Sequence, residues 1–379
     1  MSDAFKILYQ GFRDPQAVKA LAEKIRHQAE KLDHPLYMME VCGGHTHTIM
    51  KYGLQHLLPD NLHFVHGPGC PVCIMPKERI DHAIALAMMD DVMLVTLGDM
   101  IRVPGSRYSL AECRAAGGAV EPIYDPMDAL EIAKTHPDKK VVYFAIGFET
   151  TTPMTAVLVQ QAEQQNIDNL YFHINHVLVP PAMHTVMADH QAVVNAFIGP
   201  SHVSVITGSE IYQPIVDTYQ VPVVVAGFEP TDVLESVLML VESAVNREPL
   251  LENQYTQAVT CQGNVVAKEM IDQVFEMRDT FNWRGLGDIP KSALQLRAHY
   301  AKRDAEVIFP SLRAIEPVAD HKVCRCGDIL RGLATPTDCK VFGRSCTPSR
   351  PMGSCMVSSE GACNAYYRYG DLEEIKIDA

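Results

Sequence analysis

Basic residues are scarce in this sequence, and no long apolar run is present. The chain of 379 residues has 32 Lys and Arg against 46 Asp and Glu, a formal net charge of −14. Because nucleic acids and anionic lipids attract clustered Lys and Arg, this balance predicts a protein that binds neither nucleic acid nor a membrane surface.

The nearest candidate for a membrane span is the stretch VPVVVAGF at residues 221–228. It falls well short of the roughly 20 apolar residues that cross a bilayer. The first residues also lack the charged start and apolar core of a signal peptide. The sequence therefore predicts a cytoplasmic protein.

The chain is long for a single hydrophobic core, because one core rarely grows beyond about 250–300 residues. We therefore expect two or three domains. A hydrophobic content of 47% with 21% charged residues is typical of globular proteins.

Short apolar runs alternate along the chain with longer segments of helical period. An amphipathic helix is predicted at residues 16–32, and strands are predicted at 36–41, 62–65, 92–96, 141–146, 170–174, 196–198 and 221–226. Helical segments between them, at 77–89, 126–136, 154–166 and 233–245, indicate βαβ units with parallel strands. The predicted fold class is α/β, and functional residues are expected at the carboxyl ends of the strands.

The domain organisation is predicted from three features of the chain. Two turns after strands are near copies, GFET at 147–150 and GFEP at 227–230, which we interpret as related strand ends within one α/β domain. An Asp-Pro pair at 125–126 marks a boundary, and the strand-helix alternation stops near residue 248. The predicted domains are two parallel-sheet α/β domains at 1–125 and 126–248 and a third domain at 249–379, on which the N-terminal helix can pack.

The third predicted domain is rich in loops and cysteines. From about residue 310 it contains many Pro, Gly and Cys residues. Such a tail buries little apolar surface by itself, so a metal cluster is a natural source of its order.

Eleven cysteines are an unusually high number for a protein predicted to be cytoplasmic. In a reducing compartment they indicate metal binding or redox chemistry rather than structural disulfides. Six of them lie in the C-terminal tail, at Cys324, Cys326, Cys339, Cys346, Cys355 and Cys363. Cys113 and Cys261 have no chemically interesting neighbours and are predicted to be buried, inert residues.

Cys42 directly follows the strand predicted at 36–41, within the motif CGGHTH at 42–47. The glycines allow a tight turn that leaves the thiol approachable, and His45 or His47 can lower its pKa or take its proton. The alternative is a buried cysteine with histidines on the surface, since Cys-His proximity alone does not make a reactive thiol.

Cys70 and Cys73 form a Cys-x-x-Cys pair in GPGCPVC at 67–73, between a predicted strand and a predicted helix. This arrangement is typical of a redox-active dithiol, because a helix N-terminus stabilises the first thiolate. Half of a zinc site is the competing interpretation, but the sequence contains no second pair of this spacing, so thiol chemistry is favoured.

The tail cysteines suit an iron-sulfur cluster or a structural zinc ion. If Cys326, Cys339, Cys346 and Cys363 are the ligands, the gaps between them are 12, 6 and 16 residues. Zinc sites usually keep closely spaced pairs, whereas clusters accept irregular spacing, but spacing discriminates weakly and leaves both readings open.

Three polar residues at turns are secondary candidates. Glu149 in GFETTTP and His202 in GPSHVS are expected to line one cleft, and Glu360 lies in SSEGAC. Helix capping explains Glu149 almost as well as a functional role does.

Several long motifs, in this order along the chain, resemble those of the HypD family of hydrogenase maturation factors. They are CGGHTH, HGPGCPVC, GFETT, PSHVSVITG, WRGLG and CMVSSEGAC. The resemblance implies two α/β domains and a third domain that carries a [4Fe-4S] cluster. It also implies two partners, a HypC-type chaperone and a HypE-type cyanide donor.

The resemblance further implies roles for individual residues. Cys42 would hold the iron of the Fe(CN)2CO unit of a nickel-iron hydrogenase while cyanide and carbon monoxide are added, and Cys70 and Cys73 would exchange electrons. The cluster ligands would be Cys326, Cys339, Cys346 and Cys363, with Cys324 and Cys355 as additional thiols. Such a protein is a redox-active assembly scaffold more than a conventional enzyme. The alternative is an iron-sulfur-dependent thiol-disulfide oxidoreductase.

Overall fold

The structure is a computed structural model that describes residues 11–314 and 318–370. Its strands are β1 Leu36–Glu40, β2 Leu62–His66, β3 Val92–Leu97, β4 Val120–Ile123, β5 Lys140–Gly147, β6 Leu170–His176, β7 Ala196–Pro200, β8 Val223–Ala226, β9 Leu251–Asn253, β10 Phe275–Met277, β11 Thr280–Trp283, β12 Gly287–Pro290 and β13 Leu294–Leu296.

The α-helices are α1 Pro15–Ala29, α2 Gly43–Lys51, α3 Lys77–Ala87, α4 Leu110–Ala115, α5 Asp128–Thr135, α6 Thr152–Gln164, α7 Val179–Ala188, α8 Ser201–Thr207, α9 Gln213–Tyr219, α10 Pro230–Asn246, α11 Val265–Val274, α12 Ala305–Ile308, α13 Cys326–Leu330 and α14 Ala362–Tyr369. Short 3-10 helices occupy Leu54–Leu57, Gly98–Arg102, Glu210–Tyr212, Ala298–Arg303, Pro310–Ala314, Pro336–Asp338 and Ser354–Met356.

Two parallel sheets form the framework, which confirms the predicted α/β class. The first sheet has the strand order β2-β1-β7-β8-β9, and the second has the order β4-β3-β5-β6. Every pairing within these two sheets is parallel. The strands are largely buried and apolar, as expected when helices cover both faces of a parallel sheet.

The chain builds the second sheet in the middle of the first. Strands β1 and β2 precede it, and β7, β8 and β9 follow it. The boundary predicted at residues 125–126 therefore falls between β4 and β5, which flank β3 in one sheet. The order of apolar runs along the sequence predicts where strands occur, but it does not predict which strands pair.

The similar turns at 147–150 and 227–230 follow strands of two different sheets, and their placement within one domain stays a prediction. Gly147 ends β5 in the second sheet, whereas residue 227 directly follows β8 in the first. The alternation also continues past residue 248, because β9 joins the first sheet. Two antiparallel pairs, β10–β13 and β11–β12, follow it.

Helix α1 begins after Asp14, whose side chain accepts a hydrogen bond from the Gln16 amide. Its buried face includes Ile25, which shares a hydrophobic cluster with Leu234 and Val237 of α10. Within the described residues the helix thus packs against α10, and its packing on the third domain stays a prediction. The apolar stripe of this helix predicts that one of its faces is buried, but it does not identify the element against which that face packs.

Within residues 11–314 and 318–370, no helix combines the length and the apolar character needed to cross a bilayer.

Candidate functional site

A cleft of about 700 Å³ lies where the carboxyl ends of the two sheets approach each other. The loops that follow β2, β3, β5 and β7 line it, and the tail contributes Ser358 and Glu360. This is the position at which parallel α/β sheets place their functional residues.

Cys42 lies beside this cleft, at the N-cap of α2, with its side chain only 1% exposed. The Gly44 amide donates to its Sγ at 3.3 Å, and the cleft residue His202 places Nδ1 3.7 Å from the same sulfur. Cys42 and His202, predicted from separate motifs, are therefore brought together.

His45 turns away from this thiol in the structure. Its Nε2 lies 3.0 Å from the Gly227 carbonyl oxygen and therefore donates to it, while the ring packs at a tilt against Phe228. His47 packs edge-on against Tyr369 of α14. The histidine at the Cys42 sulfur is His202, which follows β7, and sequence spacing gave no sign of this long-range contact.

The environment disfavours ionisation of Cys42, in contrast to our expectation of a lowered pKa. Burial, followed by the nearby carboxylate of Glu360, holds the pKa of the Cys42 thiol well above its usual range. Burial also lowers the pKa of His202 to about 4, so this ring is neutral near pH 7. The site therefore pairs a protonated thiol with a neutral imidazole.

Glycine is required at positions around Cys42 because neighbouring segments of the chain approach closely there. A Cβ atom on Gly43 would lie 2.3 Å from Cβ of Glu360, and one on Gly69 would lie 2.1 Å from the backbone nitrogen of Cys42. Both contacts are shorter than packed atoms tolerate. The motifs CGGH, GPGC and SSEG thus meet because glycine lets their backbones touch.

Cys70 and Cys73 are both buried, and the Cys73 amide donates to Cys70 Sγ at 3.3 Å. Burial, followed by the neighbouring thiols of Cys355 and Cys70, also raises the pKa of the Cys73 thiol well above its usual range. The predicted dithiol is therefore preformed, and a tail cysteine touches it. Ser354 strengthens this junction, because its hydroxyl donates to the Cys73 carbonyl oxygen.

Cys355 links the dithiol to the rest of the tail. Its thiol is fully buried and lies close enough to Cys326 and Cys73 for both to shift its pKa, and Cys326 in turn raises the pKa of Cys363 and of Cys324. We call Cys70, Cys73, Cys355, Cys326 and Cys363 the thiol row. The sequence suggested Cys355 only as an additional thiol, whereas the structure places it at the centre.

The other two predicted cluster ligands lie at the edge of this group. Cys346 is buried, accepts a hydrogen bond from the Met352 amide at 3.3 Å, and is close enough to Cys326 for their charges to interact. Cys339 is partly exposed, and its thiol donates to the Val323 carbonyl oxygen at 3.6 Å.

The tail thiols fit an iron-sulfur cluster in their chemistry and packing. They form a group of soft sulfur donors, and a Cβ atom on Gly353 would lie 2.6 Å from Sγ of Cys326 and 2.7 Å from Sγ of Cys324. Across the described residues, no three cysteine sulfurs lie within 4.8 Å of one another. A tetrahedral zinc ion, with Zn–S bonds of about 2.3 Å, needs sulfurs roughly 3.8 Å apart. The tail cysteines are therefore compatible with metal or iron-sulfur binding, and no three of their sulfurs are as close together as the ligands of a zinc ion.

Glu149 is buried behind the cleft wall. One carboxylate oxygen accepts the Val179 amide at 2.9 Å, while the other has no hydrogen-bond partner. Burial raises the pKa of Glu149 to about 7. Glu149 thus caps α7, the third element after it along the chain, and not the helix that follows its own strand.

Glu360 lies exposed at the cleft, where it packs against Gly43 of α2. The two isolated cysteines differ from each other. Cys113 is buried as predicted, whereas Cys261 is exposed, contrary to prediction, in the chain between β9 and α11.

A second cluster of metal-ligating side chains lies outside the cleft. His82, His173 and Glu306 bring their ligand atoms within 4.8 Å of one another. Glu306, however, is held by ion pairs with Arg79 and Arg278. Two guanidinium groups in contact with the carboxylate oppose the binding of a cation.

The hydrogen-bond directions in this cluster also leave no free ligand atom on His173. Arg79 donates to Asn175 Oδ1, so the Asn175 amide nitrogen donates to His173 Nδ1 at 3.0 Å. His173 must then carry its proton on Nε2 and donate it to His82 Nδ1 at 3.1 Å. The cluster is a structural network and not a metal site.

Residues that the sequence did not single out also surround Cys42. Glu40 is fully buried at the end of β1 and accepts the Cys42 amide at 3.1 Å. A charged residue inside the apolar run LYMMEV was the available signal.

Comparisons with known proteins agree with these features. The family model HypD, described as the hydrogenase formation hypA family, matches residues 16–370. The chain is 49% identical over 365 residues to the hydrogenase maturation factor HypD of Azotobacter vinelandii, covering 95% of this chain and 96% of that one. It is 48% identical to the hydrogenase expression/formation protein HupD of Azotobacter chroococcum, over 97% and 98% of the two chains. It is 43% identical to the hydrogenase maturation factor HypD of Escherichia coli, over 96% and 98%.

Proposed function

The chain belongs to the HypD family of hydrogenase maturation factors, and from this premise we propose that it is the scaffold on which the Fe(CN)2CO unit of a nickel-iron hydrogenase is assembled. The observation that carries the proposal is the position of Cys42. Its thiol lies beside the cleft, against His202, in a loop that contacts both the Cys70 loop and the tail. The comparisons do not favour the oxidoreductase alternative.

Cys42 is proposed to hold the substrate iron, together with a cysteine of a HypC-type partner. Thiolates are soft ligands that suit low-spin iron bound to cyanide and carbon monoxide. Because metal binding requires the thiolate, the proton of Cys42 must leave when iron binds. His202 is the ring positioned to receive it, since its nitrogen lies 3.7 Å from the sulfur.

The dithiol is proposed to supply the electrons that release cyanide from a sulfur carrier on a HypE-type partner. Cleavage of the carrier S–CN bond consumes two electrons. It turns the carrier thiocyanate and two thiols into the carrier thiol, hydrogen cyanide and one disulfide. Oxidation of Cys70 and Cys73 to a disulfide provides these electrons and both protons. Their preformed contact lowers the entropic cost of closing the disulfide.

The tail cysteines Cys326, Cys339, Cys346 and Cys363 are proposed to hold a [4Fe-4S] cluster. When bound, such a cluster supplies one-electron transfer at the end of the thiol row. Cys355 lies between these thiols and Cys73, so it positions the two redox groups side by side. We also propose that the protein works in the cytoplasm, where free thiols persist.

Genetic complementation tests the proposal in a host that lacks its own HypD-family protein. Expression of this chain is expected to restore active nickel-iron hydrogenase, and Cys42→Ala is expected to abolish that restoration. Cys261→Ala is the matched control, because Cys261 is exposed and lies outside the thiol row. Restoration by Cys42→Ala at the level of the control would refute the role of Cys42.

A further inference from the structure

Behind Cys42, a chain of hydrogen bonds reaches the tail along a path separate from the thiol row. It begins at the Cys42 amide, which donates to Glu40 Oε2 at 3.1 Å. The other oxygen of Glu40 accepts from the Thr46 hydroxyl and lies 2.7 Å from His66 Nδ1. His66 Nε2 lies 3.2 Å from the Tyr366 hydroxyl.

The directions of these bonds follow from the donors available. A carboxylate accepts only, so the amide, the hydroxyl and the His66 Nδ1–H all donate to Glu40. His66 then offers Nε2 as the acceptor for the Tyr366 hydroxyl. Glu40 is 0% exposed and His66 is 6% exposed, so water does not replace these partners easily.

Tyr366 belongs to the helix that carries a proposed cluster ligand. It lies three residues after Cys363 in α14, so both side chains are on one face of the helix. The ring of Tyr366 also packs edge-on against His66, with centroids 5.3 Å apart. Helix α14 packs against α2, whose N-cap is Cys42.

We infer that His66 and Tyr366 are positioning residues for Cys42, because they fix its loop to the helix that carries Cys363 through the buried carboxylate of Glu40. This inference rests on the proposed role of Cys42 as the iron anchor. The tail thereby fixes the position of the loop that carries Cys42. A displacement of α14 would move this loop through the hydrogen bonds, without any contact between thiols. Neither residue is among those that line the cleft.

The test measures the alkylation rate of Cys42 by iodoacetamide in the full-length protein, with peptide mass spectrometry as the readout. A thiol that is 1% exposed reacts only when its loop opens. Tyr366→Phe removes only the hydroxyl that bonds to His66. The loss of one hydrogen bond is expected to accelerate Cys42 alkylation roughly fivefold.

The matched control is Tyr367→Phe, the same change at the adjacent position of α14, where the side chain is 43% exposed. It is expected to leave the Cys42 rate unchanged. A general loosening of the protein would also accelerate alkylation of Cys113, which is buried elsewhere. The inference requires that Tyr366→Phe accelerate Cys42 alkylation by a larger factor than Cys113 alkylation.

A double-mutant cycle shows whether the effect passes through His66. In the His66→Ala background, Tyr366→Phe is expected to add nothing, because the Tyr366 hydroxyl has already lost its partner. Equal Cys42 rates in wild type and Tyr366→Phe, or additive effects in the cycle, would overturn the inference. These alkylation rates do not depend on hydrogenase maturation. The test can therefore be interpreted even if the complementation experiment fails.

Discussion

At the scale of single residues, several residues of the motif CGGHTH each make a different contact. Cys42 carries the thiol, and Gly43 admits Glu360 at close range. His45 bonds to the Gly227 carbonyl oxygen, and Thr46 bonds to Glu40. Packing around the thiol therefore explains the residue types of this motif as much as the chemistry of the thiol does.

Glu149 gives a prediction for the dependence of stability on pH. Its pKa is raised to about 7 by burial, so between its ordinary pKa of 4.5 and pH 7 the native protein keeps a proton that the unfolded chain has released. The free energy of unfolding therefore falls as pH rises through this window. Glu149→Gln, which does not titrate, is expected to match wild type near pH 4.5 and to exceed it by about 1–3 kcal/mol at pH 8.

Urea denaturation at both pH values measures this difference in the free energy of unfolding. Glu23→Gln serves as the control, because it is the same change at an exposed position of α1. A difference between Glu149→Gln and wild type that is constant with pH would contradict the assignment of a raised pKa to Glu149.

At the scale of secondary-structure elements, the sequence was informative about the strands and uninformative about their partners. The apolar runs around β1, β2, β3, β5, β6, β7 and β8 predicted those strands, because parallel strands are buried on both faces. Strands β4 and β9 were missed, since their sequences, VEPI and LEN, contain polar residues or proline. Short edge strands of this kind carry too little pattern to be recognised.

The tail elements give a prediction for metal content. Gly353 leaves space for the sulfurs of Cys326 and Cys324, and its Cβ would lie within 2.7 Å of both. In the metal-free chain those side chains can rotate away, but ligands fixed on a cluster cannot. Gly353→Ala is therefore expected to keep the fold while it lowers the iron and acid-labile sulfide bound per chain by at least half, roughly, because a ligand is misplaced.

Chemical analysis of iron and sulfide after anaerobic purification measures this loss. Gly370→Ala is the matched control, because a Cβ there meets no atom of the described residues within 4 Å and its φ of −67° suits alanine. If Gly353→Ala retained the full complement of iron and sulfide, the proposed cluster site beside Gly353 would be wrong.

At the scale of the whole molecule, three distant parts of the chain form one site. Cys42 comes from the first sheet, the Cys70 loop follows β2, and Glu360 and Cys355 come from the tail. In the sequence the residues of this site appear in separate motifs. Only the family resemblance indicated that these motifs belong to one site. Spacing alone could not show that His202 meets Cys42 or that Cys355 meets Cys73, because these contacts connect residues far apart in the chain.

Infrared spectroscopy tests the central claim, that Cys42 holds the iron while cyanide and carbon monoxide are added. The protein is copurified anaerobically with its HypC-type partner, and the stretching bands of iron-bound cyanide and carbon monoxide are recorded. Wild type and Cys261→Ala are expected to show both sets of bands, and Cys42→Ala is expected to show neither. Both sets of bands at wild-type intensity in the Cys42→Ala complex would contradict the account.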